Sequence, residues 1–133
     1  MGWAGARGTR VRYPPLSARL AATYLFSRDC PSHEEGLDLL HAAAAAAGVE
    51  LDLEVAEVRT DEEARARRFP GSPTYLVGGR DLFAPEGPAH AFQHDACRAY
   101  RRPGGRIGPL PHRDDLAGAL RAAAGAAAAK EPA

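Results

Sequence analysis

The chain has 133 residues, which is enough for one domain with a single hydrophobic core. Its 17 basic and 17 acidic residues cancel, so the overall charge gives no reason to expect nucleic acid or an anionic membrane as a partner. No apolar run approaches the length of a membrane span, and the two cysteines are too few for a disulfide scaffold. We therefore expect a cytoplasmic, monomeric globular protein without a signal peptide.

The first half of the chain predicts an arm, a strand, a helix and a second strand. Residues 1–17 combine glycine, arginine and two adjacent prolines without periodicity, which predicts a flexible basic arm. The apolar run over 19–26 predicts a strand buried on both faces. Helical periodicity over 33–47 ends at Gly48, a typical residue after a helix. Residues 49–58 alternate between apolar and acidic, as a second strand does.

The second half predicts a short helix, a hairpin and a final helix. A capping box predicts a helix over 61–68, and a Gly-Gly turn predicts a β-hairpin over 74–83. Residues 84–95 have no periodicity and predict a loop. Helical periodicity returns over 112–124, and we expect the tail 125–133 to fray.

This order of elements predicts an α/β fold: a central mixed sheet of about four strands flanked by helices, within residues 18–124. The first two strands are joined by a helix, so they should be parallel.

Cys30 lies where the first strand gives way to the first helix, in the run Asp29-Cys-Pro-Ser-His33. Unpaired N–H groups at a helix start favour the reactive thiolate, and Pro31 suits the first helical position. His33 could stabilise that thiolate or donate a proton, or it could be a solvated residue without a role. Asp29 would disfavour the thiolate unless it only caps the helix. Cys30 is therefore either an active thiol or a small buried residue at a helix start.

The Cys30 turn, followed by Gly71-Ser-Pro-Thr74 before a hairpin, resembles the thioredoxin superfamily over about residues 19–124. In that family the first element carries the nucleophilic cysteine and the second a cis-proline beside it. The resemblance implies that Cys30 is the attacking thiol and Pro73 the cis-proline. It also implies that the backbone of Ser72 pairs with an extended substrate, with Thr74 in the same substrate-binding loop.

The chain departs from that family at the second motif cysteine, whose position is taken by His33. A dithiol exchanger needs a second sulfur to release a mixed disulfide. The stretch that begins at Cys97, Cys-Arg-Ala-Tyr-Arg-Arg-Pro-Gly-Gly, is similar to one in small bacterial thioredoxin-like proteins that lack the second cysteine, some of them labelled alkylmercury lyase. Cys97 is therefore either a resolving thiol, if its Cα comes within about 7 Å of that of Cys30, or a structural cysteine in a lid.

These features leave three functions open. The first is monothiol exchange through Cys30 with a protein disulfide or glutathione, which Cys97 or an external thiol resolves. The second is the handling of a soft metal or an organomercurial by both thiolates, with Asp29 or Asp95 as proton donor. The third is a binding module that has kept the fold without turnover.

One further pattern bears on metals. His90 and His94 have the i, i+4 spacing that would place two imidazoles on one helix face. The prolines and glycine just before them disfavour a helix. We therefore expect neither a metal nor another cofactor.

Overall fold

The computed structural model describes residues 18–83 and 92–130. The predicted basic arm, the loop residues 84–91 with His90, and residues 131–133 lie outside the described residues.

The described part of the chain forms three α-helices and six strands, and its first six elements follow the predicted order β-α-β-α-β-β. The elements are β1 (Ala18–Phe26), α1 (His33–Ala47), β2 (Val49–Glu57), α2 (Asp61–Arg67), β3 (Thr74–Val77), β4 (Arg80–Asp81), β5 (Tyr100–Arg101), β6 (Ile107–Gly108) and α3 (Arg113–Lys130). A 3₁₀ turn over Pro103–Gly105 joins β5 to β6.

The main sheet has four strands in the order β2-β1-β3-β4. β1 and β2 are parallel, whereas β3 is antiparallel to β1 and β4 is antiparallel to β3. The mixed α/β architecture and the parallel pairing of the first two strands are thus confirmed. β5 and β6 form a separate antiparallel pair that the sequence did not predict, because two-residue strands are too short to show a periodicity.

The two faces of the main sheet are covered unequally. On one face α1 and α3 pack against β1 and β3 around Leu40, Leu116 and Leu120. On the other face α2 covers one end of the sheet, where Leu25 packs with Val58, Ala64 and Phe69. The prediction that β1 is buried on both faces is therefore right at its C-terminal end only, since α2 has just seven residues.

The helix ends follow local chemistry. α1 has the predicted bounds, and Gly48 ends it in the left-handed conformation at φ 71°. The Thr60 hydroxyl accepts the Glu63 N–H at 3.0 Å, which is the predicted cap of α2. α3 continues to Lys130 and so extends beyond its predicted end at about residue 124. Alanine is the strongest helix former, and the alanine run sustains this extension.

None of the described helices is long and apolar enough to cross a membrane.

The packing of α3 on the sheet predicts the effect of a core truncation. Leu116 is 0% exposed, so Leu116→Ala should lower the free energy of unfolding by about 2–5 kcal/mol through lost contacts and a cavity. Urea denaturation measures the change. Ile107→Ala is the control, because Ile107 is 63% exposed and should change stability by about 0.5 kcal/mol or less. Equal losses in the two variants would contradict this packing.

Candidate active site

The candidate site lies where β1 ends and β3 begins. These strands are antiparallel and Leu25 pairs with Thr74, so the residues after β1 lie beside those before β3. The Ser27 N–H donates to the Ser72 hydroxyl at 3.0 Å, and this bond joins the two segments. The sheet topology therefore brings together the two motifs that the sequence singled out.

Cys30 is buried in this corner, 5% exposed. Its backbone N–H donates to the Ser27 carbonyl at 3.0 Å, which closes the turn after β1. Its thiol donates to the Ser72 carbonyl oxygen, with Sγ 3.8 Å from that oxygen. The peptide bond between Ser72 and Pro73 is cis. Cys30, Ser72 and Pro73 thus form one site.

The start of α1 differs from the sequence expectation. The first helical residue is His33 and the N-cap is Ser32, so Pro31 precedes the helix instead of occupying its first position. The cause is a turn in which the His33 N–H donates to the Cys30 carbonyl at 3.3 Å, before the first helical bond forms. Asp29 is exposed and does not cap the helix.

His33 packs against the sheet. Its ring stacks on Phe26 with 4.8 Å between ring centroids and an angle of 18° between planes. Its carbonyl accepts the Tyr24 hydroxyl at 2.5 Å. The hydrogen bond of the Cys30 thiol goes to Ser72 and not to this imidazole. The predicted role of His33, to stabilise the Cys30 thiolate or donate a proton to it, is therefore not supported by a direct hydrogen bond between the two side chains.

Three buried tyrosines hold the backbone around the site, and sequence reasoning missed all of them. Each hydroxyl donates to a main-chain carbonyl: Tyr24 to His33 (2.5 Å), Tyr75 to Gly36 (2.9 Å) and Tyr100 to Pro73 (2.5 Å). The sequence placed Tyr24 and Tyr75 in strands as apolar residues. It gave no sign of the distant carbonyls that satisfy their hydroxyls.

Burial is the main cause that raises the pKa of each of these tyrosines. The nearby Cys30 acts in the same direction, because two negative charges close together repel each other. Tyr24, Tyr75 and Tyr100 therefore stay neutral and keep donating to their carbonyls at neutral pH.

Residues 96–98, which we call the edge segment, run alongside Ser72. The Ser72 N–H donates to the Ala96 carbonyl at 2.9 Å, and the Arg98 N–H donates to the Ser72 carbonyl at 3.1 Å. Ser72 and Cys97 face each other as a parallel bridge. The resemblance assigned the Ser72 backbone to an extended substrate, but in this structure both of its groups are bonded to the chain itself.

Both cysteines consequently adjoin Ser72. Cys30 reaches it through its thiol and Cys97 through backbone pairing, and Cys97 is exposed. Glycine at position 71 permits this approach, since a Cβ there would lie 2.9 Å from the Arg98 nitrogen and 3.0 Å from the Cys97 carbonyl carbon.

Arg98 fastens the edge segment to the hairpin. Its guanidinium binds both carboxylate oxygens of Asp81, at 2.7 and 3.1 Å, and also the Phe83 carbonyl. It lies over the Tyr100 ring, 4.8 Å from the centroid. The side chains of Arg98 and Asp81 are 6% and 16% exposed, so the pair is largely buried.

The Thr74 side chain is directed into the interior of the protein. It is fully buried, its hydroxyl donates to the Gly71 carbonyl at 2.6 Å, and the same hydroxyl accepts from Arg98 at 3.3 Å. Thr74 thus supports this loop from inside, and its assignment to the substrate-binding loop stays a prediction.

A second group of polar residues lies outside this corner. His94 Nδ1 is 2.7 Å from Asp61 Oδ1, and their hydrogen bond raises the pKa of His94 and lowers that of Asp61. Asp95 is close, with the potential ligand atoms of all three residues within 4.8 Å of one another. Among the described residues, the partner of His94 is thus Asp61 on α2, and His90 lies outside the described residues.

No protein-family model, curated protein or solved structure matches this chain. The site contains two cysteines that adjoin Ser72: Cys30, which is buried, and Cys97, which is exposed. Thiol–disulfide exchange needs an attacking thiolate and a second thiol that resolves the mixed disulfide. The residues present could serve both steps.

The buried ion pair predicts a large effect of a single substitution. Arg98→Met leaves Asp81 buried without its partner and should lower the free energy of unfolding by about 3–5 kcal/mol. The double variant Arg98→Met/Asp81→Asn should lose less, because it leaves no unpaired charge. Urea denaturation compares the variants.

Arg19→Met is the matched control. Arg19 pairs with Glu50 and Asp52, but its side chain is 60% exposed, and exposed pairs contribute about 1 kcal/mol or less. A loss in Arg98→Met no greater than in Arg19→Met would show that the Arg98 pair does not fasten the edge segment.

Proposed function

We propose that this protein is a thioredoxin-like thiol–disulfide exchange protein in which Cys30 is the attacking thiol. One observation carries the proposal: Cys30 Sγ lies 3.8 Å from the Ser72 carbonyl, at the corner where the Cys30 turn meets the Pro73 loop. The element order and the parallel–antiparallel sheet add support, because they agree with the pattern on which the resemblance rested.

The first step is attack by Cys30. The thiol loses its proton and its bond to the Ser72 carbonyl, and the thiolate attacks one sulfur of a disulfide R–S–S–R′. A Cys30–S–S–R bond forms as the S–S bond of the substrate breaks, and R′S⁻ leaves and takes up a proton. α1 begins three residues after Cys30, so the positive end of its dipole lies next to the sulfur that becomes charged.

The second step releases the remaining half of the substrate. The thiolate of Cys97 attacks the Cys30 sulfur of the mixed disulfide, which forms a Cys30–Cys97 disulfide and sets RSH free. An external dithiol then supplies two electrons and two protons to restore both thiols. The exposed position of Cys97 next to Ser72, whose carbonyl contacts Cys30, supports this assignment. An external monothiol can resolve the mixed disulfide in its place.

The three tyrosines and Gly36 give the site a fixed shape. A Cβ at Gly36 would lie 3.2 Å from Pro73 Cγ, so α1 packs directly on the loop opposite Cys30. Tyr24 and Tyr75 hold the first turn of α1, and Tyr100 holds the Pro73 carbonyl. These are positioning residues, and fixed geometry is what a buried nucleophile needs to meet its target in line.

The proposal predicts where a small disulfide attaches. Incubation of the Cys97→Ser variant with oxidised glutathione should give protein carrying one glutathione on Cys30, because the resolving thiol is gone. The parent should pass through this species and accumulate less of it. Intact mass and peptide mapping measure both.

Cys30→Ser is the matched control, since it keeps Cys97. It should catalyse the reduction of oxidised glutathione by dithiothreitol no faster than the uncatalysed reaction. If Cys30→Ser is as active as the parent, or if glutathione attaches only to Cys97, Cys30 is not the attacking thiol. A parent that is itself inactive would indicate a binding module without turnover.

A further inference from the structure

The edge segment occupies the backbone next to the reactive thiol. Extended peptides commonly dock by adding a strand to a free sheet edge, where backbone hydrogen bonds supply the affinity. Ser72 is the backbone unit in contact with the Cys30 sulfur, so it is where such a peptide would pair in order to present a disulfide. Its N–H and its carbonyl are already bonded to Ala96 and Arg98.

Two independent features hold the edge segment in place. The buried Arg98 side chain ties it to Asp81 on β4. The missing side chain at Gly71 lets the backbone of Cys97 and Arg98 approach closely. A polypeptide that competes for Ser72 must therefore break two backbone hydrogen bonds and move a residue fixed by an ion pair.

We propose, on the basis of the exchange function above, that the edge segment excludes polypeptide substrates and that the protein acts on low-molecular-weight disulfides. A small disulfide needs only its own sulfur at Cys30 and no backbone pairing with Ser72. Polypeptide disulfides gain access only when residues 96–98 leave the Ser72 edge. The exchange itself is unchanged: Cys30 attacks, one thiolate leaves, and Cys97 or an external thiol resolves the mixed disulfide.

The test compares two substrates with dithiothreitol as the reductant: oxidised glutathione, and insulin as a polypeptide disulfide. The parent should have a kcat/KM for insulin at least about tenfold below that for oxidised glutathione, equivalent to about 1.4 kcal/mol. Gly71→Ala places a methyl group against the edge segment, and the ratio of insulin to glutathione kcat/KM should rise by about tenfold.

Gly118→Ala is the matched control. A Cβ at Gly118 on α3 meets no atom within 4 Å beyond its own stretch of helix, so the ratio should stay as in the parent. Arg98→Gln/Asp81→Asn is a second release variant, in case Gly71→Ala does not fold. Hydrogen exchange of the Ser72 and Arg98 amides reports release directly, since both amides donate within this pairing and should be protected in the parent.

Several outcomes would overturn the inference. One is a parent that reduces insulin as efficiently as oxidised glutathione. Another is a ratio that stays constant although the two amides have lost protection. A third is that the Ser72 and Arg98 amides stay protected in both Gly71→Ala and Arg98→Gln/Asp81→Asn, because the edge segment would then not be displaceable. A parent that reduces neither substrate would refute the exchange function instead, so the two failures are distinguishable.

Discussion

Ser72 is the residue on which the arrangement of the site depends. Its hydroxyl accepts the Ser27 N–H, its own N–H donates to Ala96, and its carbonyl accepts both the Arg98 N–H and the Cys30 thiol. Ser72 is 1% exposed, so water does not replace a partner that is lost, and a buried polar group left unpaired costs about 1–3 kcal/mol. The turn after β1, the loop before β3 and the edge segment are therefore held in one geometry through a single residue.

The sheet topology creates this meeting point, and its surroundings keep it rigid. The antiparallel pairing of β1 with β3 puts the end of one strand beside the start of the other, and α1 and α3 cover the face behind them. Tyrosine hydroxyls satisfy nearby carbonyls, and the Arg98–Asp81 pair fastens the far side. The proposed exchange site has a buried and an exposed cysteine that both adjoin Ser72, and we propose that residues 96–98 control access to it.

The sequence was sufficient where local patterns decide the structure. Neighbouring residues alone set several elements that the sequence predicted correctly: α1 and β2 with their periodicity, the helix end at Gly48 and the Gly-Gly turn. The proximity of Cys30 to the Pro73 loop could also be predicted, but only through a resemblance. The partners of Arg98 could not be predicted, because nothing in the sequence around one arginine indicates which distant carboxylate it pairs with. The strand-like pairing of Cys97 with Ser72 likewise joins residues far apart in the chain. The prediction for Pro31 was wrong because a turn over residues 30–33 precedes the helix and delays its first residue to His33.

Mapping the disulfide that forms in the protein on mild oxidation with diamide tests the central claim most directly. If Cys30 and Cys97 both adjoin Ser72, oxidation of dilute protein should give a monomer with an intramolecular Cys30–Cys97 bond, found as one cross-linked peptide pair. A dimer joined through the exposed Cys97, with Cys30 still a free thiol, would contradict the account.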